Sequence, residues 1–273
     1  MATKVKAKGK IDQKPKVDPV FKQIVKELCA EDCEICHGIG YVRYDLPVGH
    51  PKFGRIEPCP NRDMMSFEIF ASCGLLPAGI YDEPLEVQQR MYVAERKLAW
   101  DALLETDSAL EAREAIEAVI ERGHGWLYLW GSTGIAKTLA LHIAVKTMLE
   151  KKTSATYVSM ARIIDDLRSA FDKENASEVS EIKLSRWIST PLLAIDEFDR
   201  VRGTEFAEER KFVLMDERYQ RALRGQSITI MASNENPELL DAYLSSRIHD
   251  ARFKVLHLEG ADMRLAAQQE SLL

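Results

Sequence analysis

Residues 131–138 read Gly131-Ser132-Thr133-Gly134-Ile135-Ala136-Lys137-Thr138. In this spacing, close to G-x-x-x-x-G-K-[ST], glycines let successive backbone N–H groups turn toward one point, and a following helix adds its positive end. Such a loop cradles phosphate oxygens. The backbone of residues 131–136 forms the cradle, Lys137 reaches the β- and γ-phosphates of ATP, and the Thr138 hydroxyl ligates Mg²⁺. Ala136 stands where glycine is usual. Its methyl group is tolerable if the backbone there is helical, and the position falls at the expected helix start.

Further along, Leu192-Leu193-Ala194-Ile195-Asp196-Glu197 is an apolar strand tipped by two carboxylates. Apolar strands ending in acids are common by chance, but one placed a strand and its helices beyond a phosphate loop is a Walker B arrangement. Asp196 would hold Mg²⁺ through water, and Glu197 would polarise the water that attacks the γ-phosphate.

A second kind of chemistry is carried by Cys33-Glu34-Ile35-Cys36-His37-Gly38-Ile39-Gly40. Two thiolates three positions apart can point at one metal while the glycines let backbone N–H groups face sulfur. Cys59 supplies a third ligand. The fourth is His50 or Cys29, with Cys73 and His37 less suited; the set taken is Cys33, Cys36, His50 and Cys59, with Cys29 as the alternative. About sixty proline-rich residues are near the lower limit for a self-supporting core, whereas a structural zinc contributes on the order of 10–16 kcal/mol. No acid–base partner is spaced around an open position, so the zinc is expected to be structural. Tyr41, Arg43 and Tyr44 could stack on nucleic-acid bases.

These groups need elements to position them. From Gly125 onward, strand and helix patterns alternate: strands at Trp126–Trp130, Ala155–Met160, Leu192–Ile195, Ser227–Ala232 and Lys254–Leu258, with helices at Thr138–Glu150, Ala161–Phe171, Glu178–Ile188, Phe206–Leu223 and Pro237–Ile248. In Phe206–Leu223 the apolar residues Phe212, Met215, Tyr219 and Leu223 recur at helical spacing. Strands separated by helices predict an α/β fold with a largely parallel sheet. Before it, Tyr92–Leu104 and Ala109–Ile120 are Ala/Glu/Leu-rich and read as helices. The expected organisation is a basic disordered tail (1–17), a zinc-binding domain (18–80), a helical linker (81–122) and the ATPase domain (123–273).

The bulk properties narrow the class. The 273 residues are 46% hydrophobic and 29% charged with a net charge of −6, which excludes wholesale disorder. Residues 1–16 carry six lysines and one aspartate, +5, which leaves −11 on the remainder. An acidic body argues against a protein that coats duplex DNA over a broad face. No apolar run approaches the eighteen or so residues of a membrane span, and no apolar core follows the lysines, so the chain is expected in the cytoplasm.

Over residues 120–265 these features resemble the DnaC/IstB branch of the AAA+ ATPases, which includes bacterial and phage helicase loaders. The alanine at 136 is similar to the loop variant of the MCM and MoxR branches, which implies that nucleotide still binds. The resemblance implies that the strand Ser227–Ala232 lies between the two motif strands, making Asn234 a sensor 1 residue that orients water. Leu244-Ser245-Ser246-Arg247 is similar to the arginine-finger segment of AAA+ oligomers, in which the arginine completes the neighbouring subunit's site. Such a finger is worth ~10³–10⁵ in rate. Arg252 is the nearby rival. Leu258–Arg264 matches a family ending whose last arginine, Arg264, contacts nucleotide as a sensor 2-like group. Nine residues follow Arg264, too few for a full helical lid. Related loader modules carry a second cysteine beside the position of Cys59, and it is missing here.

The function so implied is that of an ATPase, stimulated by single-stranded DNA or its partner. It would assemble with ATP into an open ring or spiral and deliver a replicative DnaB-type helicase onto single-stranded DNA at replication initiation. Two other readings stand beside it: an IstB-type transposition helper, and an ATP-gated scaffold with little hydrolysis. The zinc module favours the loader over the first, and the joint presence of Glu197, Asn234 and Arg247 favours hydrolysis over the second.

Overall fold

The computed structural model describes residues 29, 33–43, 56–103, 107–169, 176–201, 203–260 and 262. The lysine tail, Tyr44, His50 and Arg264 lie outside the described residues. The chain divides into two compact units, Met1–Met64 and Met65–Leu273.

In the first unit, β1 (Tyr41–Arg43) pairs antiparallel with β2 (Ile56–Pro58), Tyr41 standing opposite Pro58 and Arg43 opposite Ile56. The two strands carry Cys59 back to the turn that holds Cys33 and Cys36.

The second unit is built on five parallel strands: β3 (Gly125–Trp130), β4 (Ala155–Ser159), β5 (Leu192–Asp196), β6 (Ile228–Ser233) and β7 (Lys254–His257). Their spatial order is β4-β5-β6-β3-β7. β6 thus lies between the strand that leads into the phosphate loop and the strand tipped by Asp196, as expected. All residues of β5 and β6 are buried, which explains why each holds consecutive apolar residues, Leu192–Ile195 and Ile230–Ala232, rather than a strict alternation.

Helices cover both faces. Trp126 and Tyr128 of β3, Leu193 and Ile195 of β5, and Met231 of β6 join one core cluster. Its helical side comes from α5 (Met160–Arg168), α6 (Ala176–Ser189), α7 (Glu205–Leu223) and α8 (Ala242–Ile248). The alternate residues of β3, Leu127 and Leu129, are equally buried and face the other layer. There α3 (Asp107–Arg122) and α4 (Lys137–Glu150) pack on the sheet. Among the described residues, no helix is long and apolar enough to cross a membrane.

Three expectations are corrected. The unit boundary falls after Met64 rather than at residue 80. α1 (Phe67–Ser72) and the turn after it bury Phe70, Leu75, Leu76 and Ile80, and the Tyr157 amide on edge strand β4 donates to Cys73 O at 2.7 Å. Second, the helix expected over Tyr92–Leu104 is α2 (Leu85–Lys97): it begins at the Pro84 cap and stops where Leu98 turns extended (φ −56°, ψ 128°). Third, the buried stripe of α7 is not the expected one. Met215 is buried, but Phe212 is 45% and Leu223 36% exposed, while Arg218 is fully buried. The Arg218 guanidinium donates to the carbonyls of Trp187, Ile188, Thr190 and Ile228 and to Thr229 Oγ1, at 2.6–3.0 Å. Burial lowers its pKa to about 9. It satisfies the carbonyls left over where α6 ends and β6 begins.

Candidate active site and metal centre

The phosphate loop is shaped by contacts that exclude side chains. At Gly131 (φ 146°) an added Cβ would lie 2.3 Å from Leu258 O, and at Gly134 (φ 80°) it would lie 1.9 Å from Asp262 Oδ1. Ala136 departs from expectation. Its backbone is left-handed (φ 64°, ψ 19°), not right-handed helical, and α4 starts one residue later. The methyl group is therefore tolerated at a cost of roughly 1–2 kcal/mol rather than for nothing.

Lys137, the first residue of α4, is 8% exposed. Its Nζ donates to Gly131 O at 2.7 Å, Ser132 O at 2.6 Å and Asn234 Oδ1 at 3.0 Å. Asn234 reaches this point because β6 pairs with β3 in a register that sets Ser233 opposite Trp130. Asp199 fixes that tip: its Oδ1 accepts from Ser233 Oγ at 2.8 Å and from the Asn234 amide at 3.0 Å.

Asp196 ends β5 as a 7% exposed carboxylate on which three donors converge. Thr138 Oγ1 donates to Oδ2 at 2.6 Å, Tyr157 OH to the same oxygen at 2.9 Å, and the Glu197 amide to Oδ1 at 2.8 Å. Burial and the neighbouring carboxylate push the Tyr157 phenol well above its usual pKa, so it stays a donor. Glu197 holds a left-handed backbone (φ 47°), a strained state for a residue with a side chain, and pairs with Arg200 at 3.0 Å. Lys137, Thr138, Asp196, Glu197, Arg200 and Asn234 line a cavity of ≈ 530 Å³, within the range of small-molecule sites. Thr138 and Asp196 offer a hydroxyl and a carboxylate oxygen on the cavity wall, a hard-oxygen donor set that suits Mg²⁺.

The structure thus brings together Lys137, Thr138, Asp196, Glu197 and Asn234. Arg247 is held elsewhere, on α8: its Nη2 is 2.5 Å from Asp216 Oδ1 and also meets Tyr243 OH. Its guanidinium lies over the Tyr243 ring at 3.6 Å and the Tyr219 ring at 4.6 Å. Hydrogen bonds from Tyr243 and then Arg247 hold the Asp216 carboxyl below the usual carboxylate range. Arg252 binds Asp250 at 2.5 Å. Arg200, Asp199 and Tyr157 were missed in the sequence. The two that follow Glu197 could have been found as polar residues just past the strand, but Tyr157 carries no local signal.

In the first unit the sulfurs of Cys29, Cys33, Cys36 and Cys59 all lie within 4.8 Å of one another. Cys33 and Cys59 are 3.7 Å apart, and Cys29 and Cys59 4.0 Å. A tetrahedral zinc with Zn–S of about 2.3 Å sets its sulfurs about 3.8 Å apart, so the residues fit that ion. The Gly40 amide donates to Cys36 Sγ at 3.2 Å, made possible by the left-handed turn at His37, Gly38 and Gly40. Backbone N–H groups of Cys36 and Ile35 lower the Cys33 thiol to about 6, while burial lifts Cys29 to about 12. Cys29 takes the fourth corner of this cluster, the alternative to His50. Cys73 belongs to the second unit, where burial pushes its thiol up to about 12.

A strand-loop-helix carrying a buried lysine, opposed by a paired-acid strand across a central strand tipped with asparagine, gives the α/β unit the arrangement of a P-loop fold. Residues 127–255 match the family described as ATPase family associated with various cellular activities (AAA). AMPPCP-bound DnaA from Aquifex aeolicus superposes with a TM-score of 0.53 at 20% identity, over 64% of this chain and 54% of that one. The replication initiator DnaA bound to AMPPCP and single-stranded DNA gives 0.51 at 20% identity and the same coverage. The DnaC helicase loader gives 0.48 at 18% identity, over 61% of this chain and 99% of that one. For the two DnaA structures, at 20% identity, the likeness is one of fold, and the chain spans little more than half their length. No curated protein sequence matches the chain.

Proposed function

We propose that this chain is an ATP-dependent loader that places a ring-shaped replicative helicase on single-stranded DNA. The observation that carries the ATPase part is the convergence of Lys137, Thr138, Asp196, Glu197 and Asn234 on one cavity. Lys137 and the loop amides would bind the β- and γ-phosphates, Glu197 would hold the attacking water, and Asn234 would orient it. Mg²⁺ held by Thr138 and Asp196 would neutralise charge on the phosphates. Glu197 is bound to Arg200 in the isolated chain, which supports slow basal hydrolysis that rises when a partner or DNA opens that pair.

The loader part rests on the zinc-type cysteine module ahead of an AAA-type unit, the combination that resembles helicase loaders. The DnaA structures of similar fold are of a replication initiator, one of them bound to single-stranded DNA. In this reading, Cys29, Cys33, Cys36 and Cys59 hold a structural zinc. Arg247, away from its own cavity, completes the site of an adjacent subunit in an ATP-driven open ring or spiral. Incubating the chain with candidate replicative helicases, with and without ATP, tests the reading. ATP-dependent co-purification with a helicase is expected; co-purification with none, in either nucleotide state, would contradict it.

A further inference from the structure

Tyr157 lies in the middle of edge strand β4, outside every motif of the ATPase site, yet its hydroxyl reaches Asp196 Oδ2 at 2.9 Å. That oxygen also takes the Thr138 hydroxyl. If Thr138 turns its oxygen toward a cation, Tyr157 remains as the hydroxyl donor that keeps the carboxylate in place. Tyr157 is itself held at its main chain and at its ring. Its backbone amide donates to Cys73 O at 2.7 Å, and Gly74 passes so close that an added Cβ would lie 2.1 Å from Tyr157 O. The His142 imidazole meets the ring edge-on, with centroids 4.3 Å apart. His142 Nδ1 in turn is 2.8 Å from Glu95 Oε1.

Glu95 belongs to α2, a helix with no buried residue, and its side chain is only 16% exposed because it is directed at His142. Lys146 Nζ ties the end of that helix to α4 through Leu98 O at 2.5 Å. Cys73 and Glu95 both precede residues 127–255, the part matched to the AAA family. The elements leading into the core therefore grip the residue whose hydroxyl donates to Asp196.

We propose that Tyr157 is a positioning residue for Asp196, and that Glu95 acting through His142 fixes Tyr157, so that α2 sets the readiness of the site for Mg²⁺. This rests on the nucleotide reading above. Outer residues that orient a metal ligand are worth about 10- to 100-fold in metal affinity.

The test uses the full chain with a fluorescent ATP analogue, titrated with MgCl₂ after EDTA treatment. Tyr157→Phe keeps the ring and removes only the donor. It is expected to raise the MgCl₂ needed for half-maximal tightening of nucleotide binding about tenfold, while binding in EDTA and the melting temperature stay as in wild type. Glu95→Gln is expected to shift the same curve in the same direction by less, and the double variant to match Tyr157→Phe alone. Superimposable MgCl₂ curves for wild type and Tyr157→Phe would overturn the role of Tyr157. Shifts that add in the double variant would overturn the route through Glu95. Wild-type chain that binds no ATP analogue at any MgCl₂ concentration would overturn the nucleotide reading, and this inference with it.

Discussion

Lys137 Nζ donates to Asn234 Oδ1 at 3.0 Å, across 97 residues of sequence. The contact exists because β6 is inserted between β3 and β5, so the tips of three strands open onto one cavity. The group proposed to sense the γ-phosphate and the group proposed to bind it are thus in direct contact. Loss of the lysine should therefore disturb both.

The backbone at Ala136 gives the first prediction. A left-handed alanine costs roughly 1–2 kcal/mol, of which a glycine gives back part through its larger unfolded-state freedom. Ala136→Gly should therefore gain about 0.5–1 kcal/mol, raising the melting temperature by about 1–4 °C for a unit of this size. A lower melting temperature would show that the methyl group makes a favourable contact that outweighs the strain.

The cysteine cluster gives the second. Protein purified without chelator should contain one zinc per chain by elemental analysis. Cys29→Ala should lose the metal and lower the stability of the first unit, whereas His50→Ala should retain it. The opposite pattern would return the fourth position to His50.

Much of the site was legible because its parts are local. A phosphate loop fits in eight residues and an acid-tipped strand in six, and the strand order follows from the family they resemble. What was not legible depends on groups distant in sequence. Arg218 reads as the solvated side of an amphipathic helix, and only the carbonyls brought to it by the end of α6, the loop after it and the start of β6 make it a core residue. Tyr157 reads as an ordinary strand residue until β5 places Asp196 beside it. Ala136 was expected to be helical from its position, but the loop must reverse before α4 begins, and that reversal needs a positive φ. Cys29 fell second to His50 because spacing along the chain does not show which group the turn brings back to Cys59.

The third prediction concerns assembly. Arg247 is engaged by Asp216, Tyr219 and Tyr243 and does not line the cavity of its own chain. Arg247→Ala should leave ATP affinity within a few-fold and abolish stimulated hydrolysis, since a finger contributes ~10³–10⁵ in rate. Mixing Arg247→Ala with Lys137→Ala, each inactive alone, should restore partial activity at interfaces that pair an intact loop with an intact arginine. No recovery at any ratio, with co-assembly verified, would place Arg247 outside the reaction.

The central claim is that this cavity binds ATP through Lys137 and hydrolyses it through Glu197. The most direct measurement is the hydrolysis rate of Glu197→Gln set against its ATP binding, in the full chain with Mg²⁺. The amide keeps the shape of the side chain but cannot take a proton, so binding should equal wild type while hydrolysis falls by ~10²-fold or more. Lys137→Ala, measured alongside, should bind no ATP. A Glu197→Gln variant that hydrolyses ATP as fast as wild type would contradict the account.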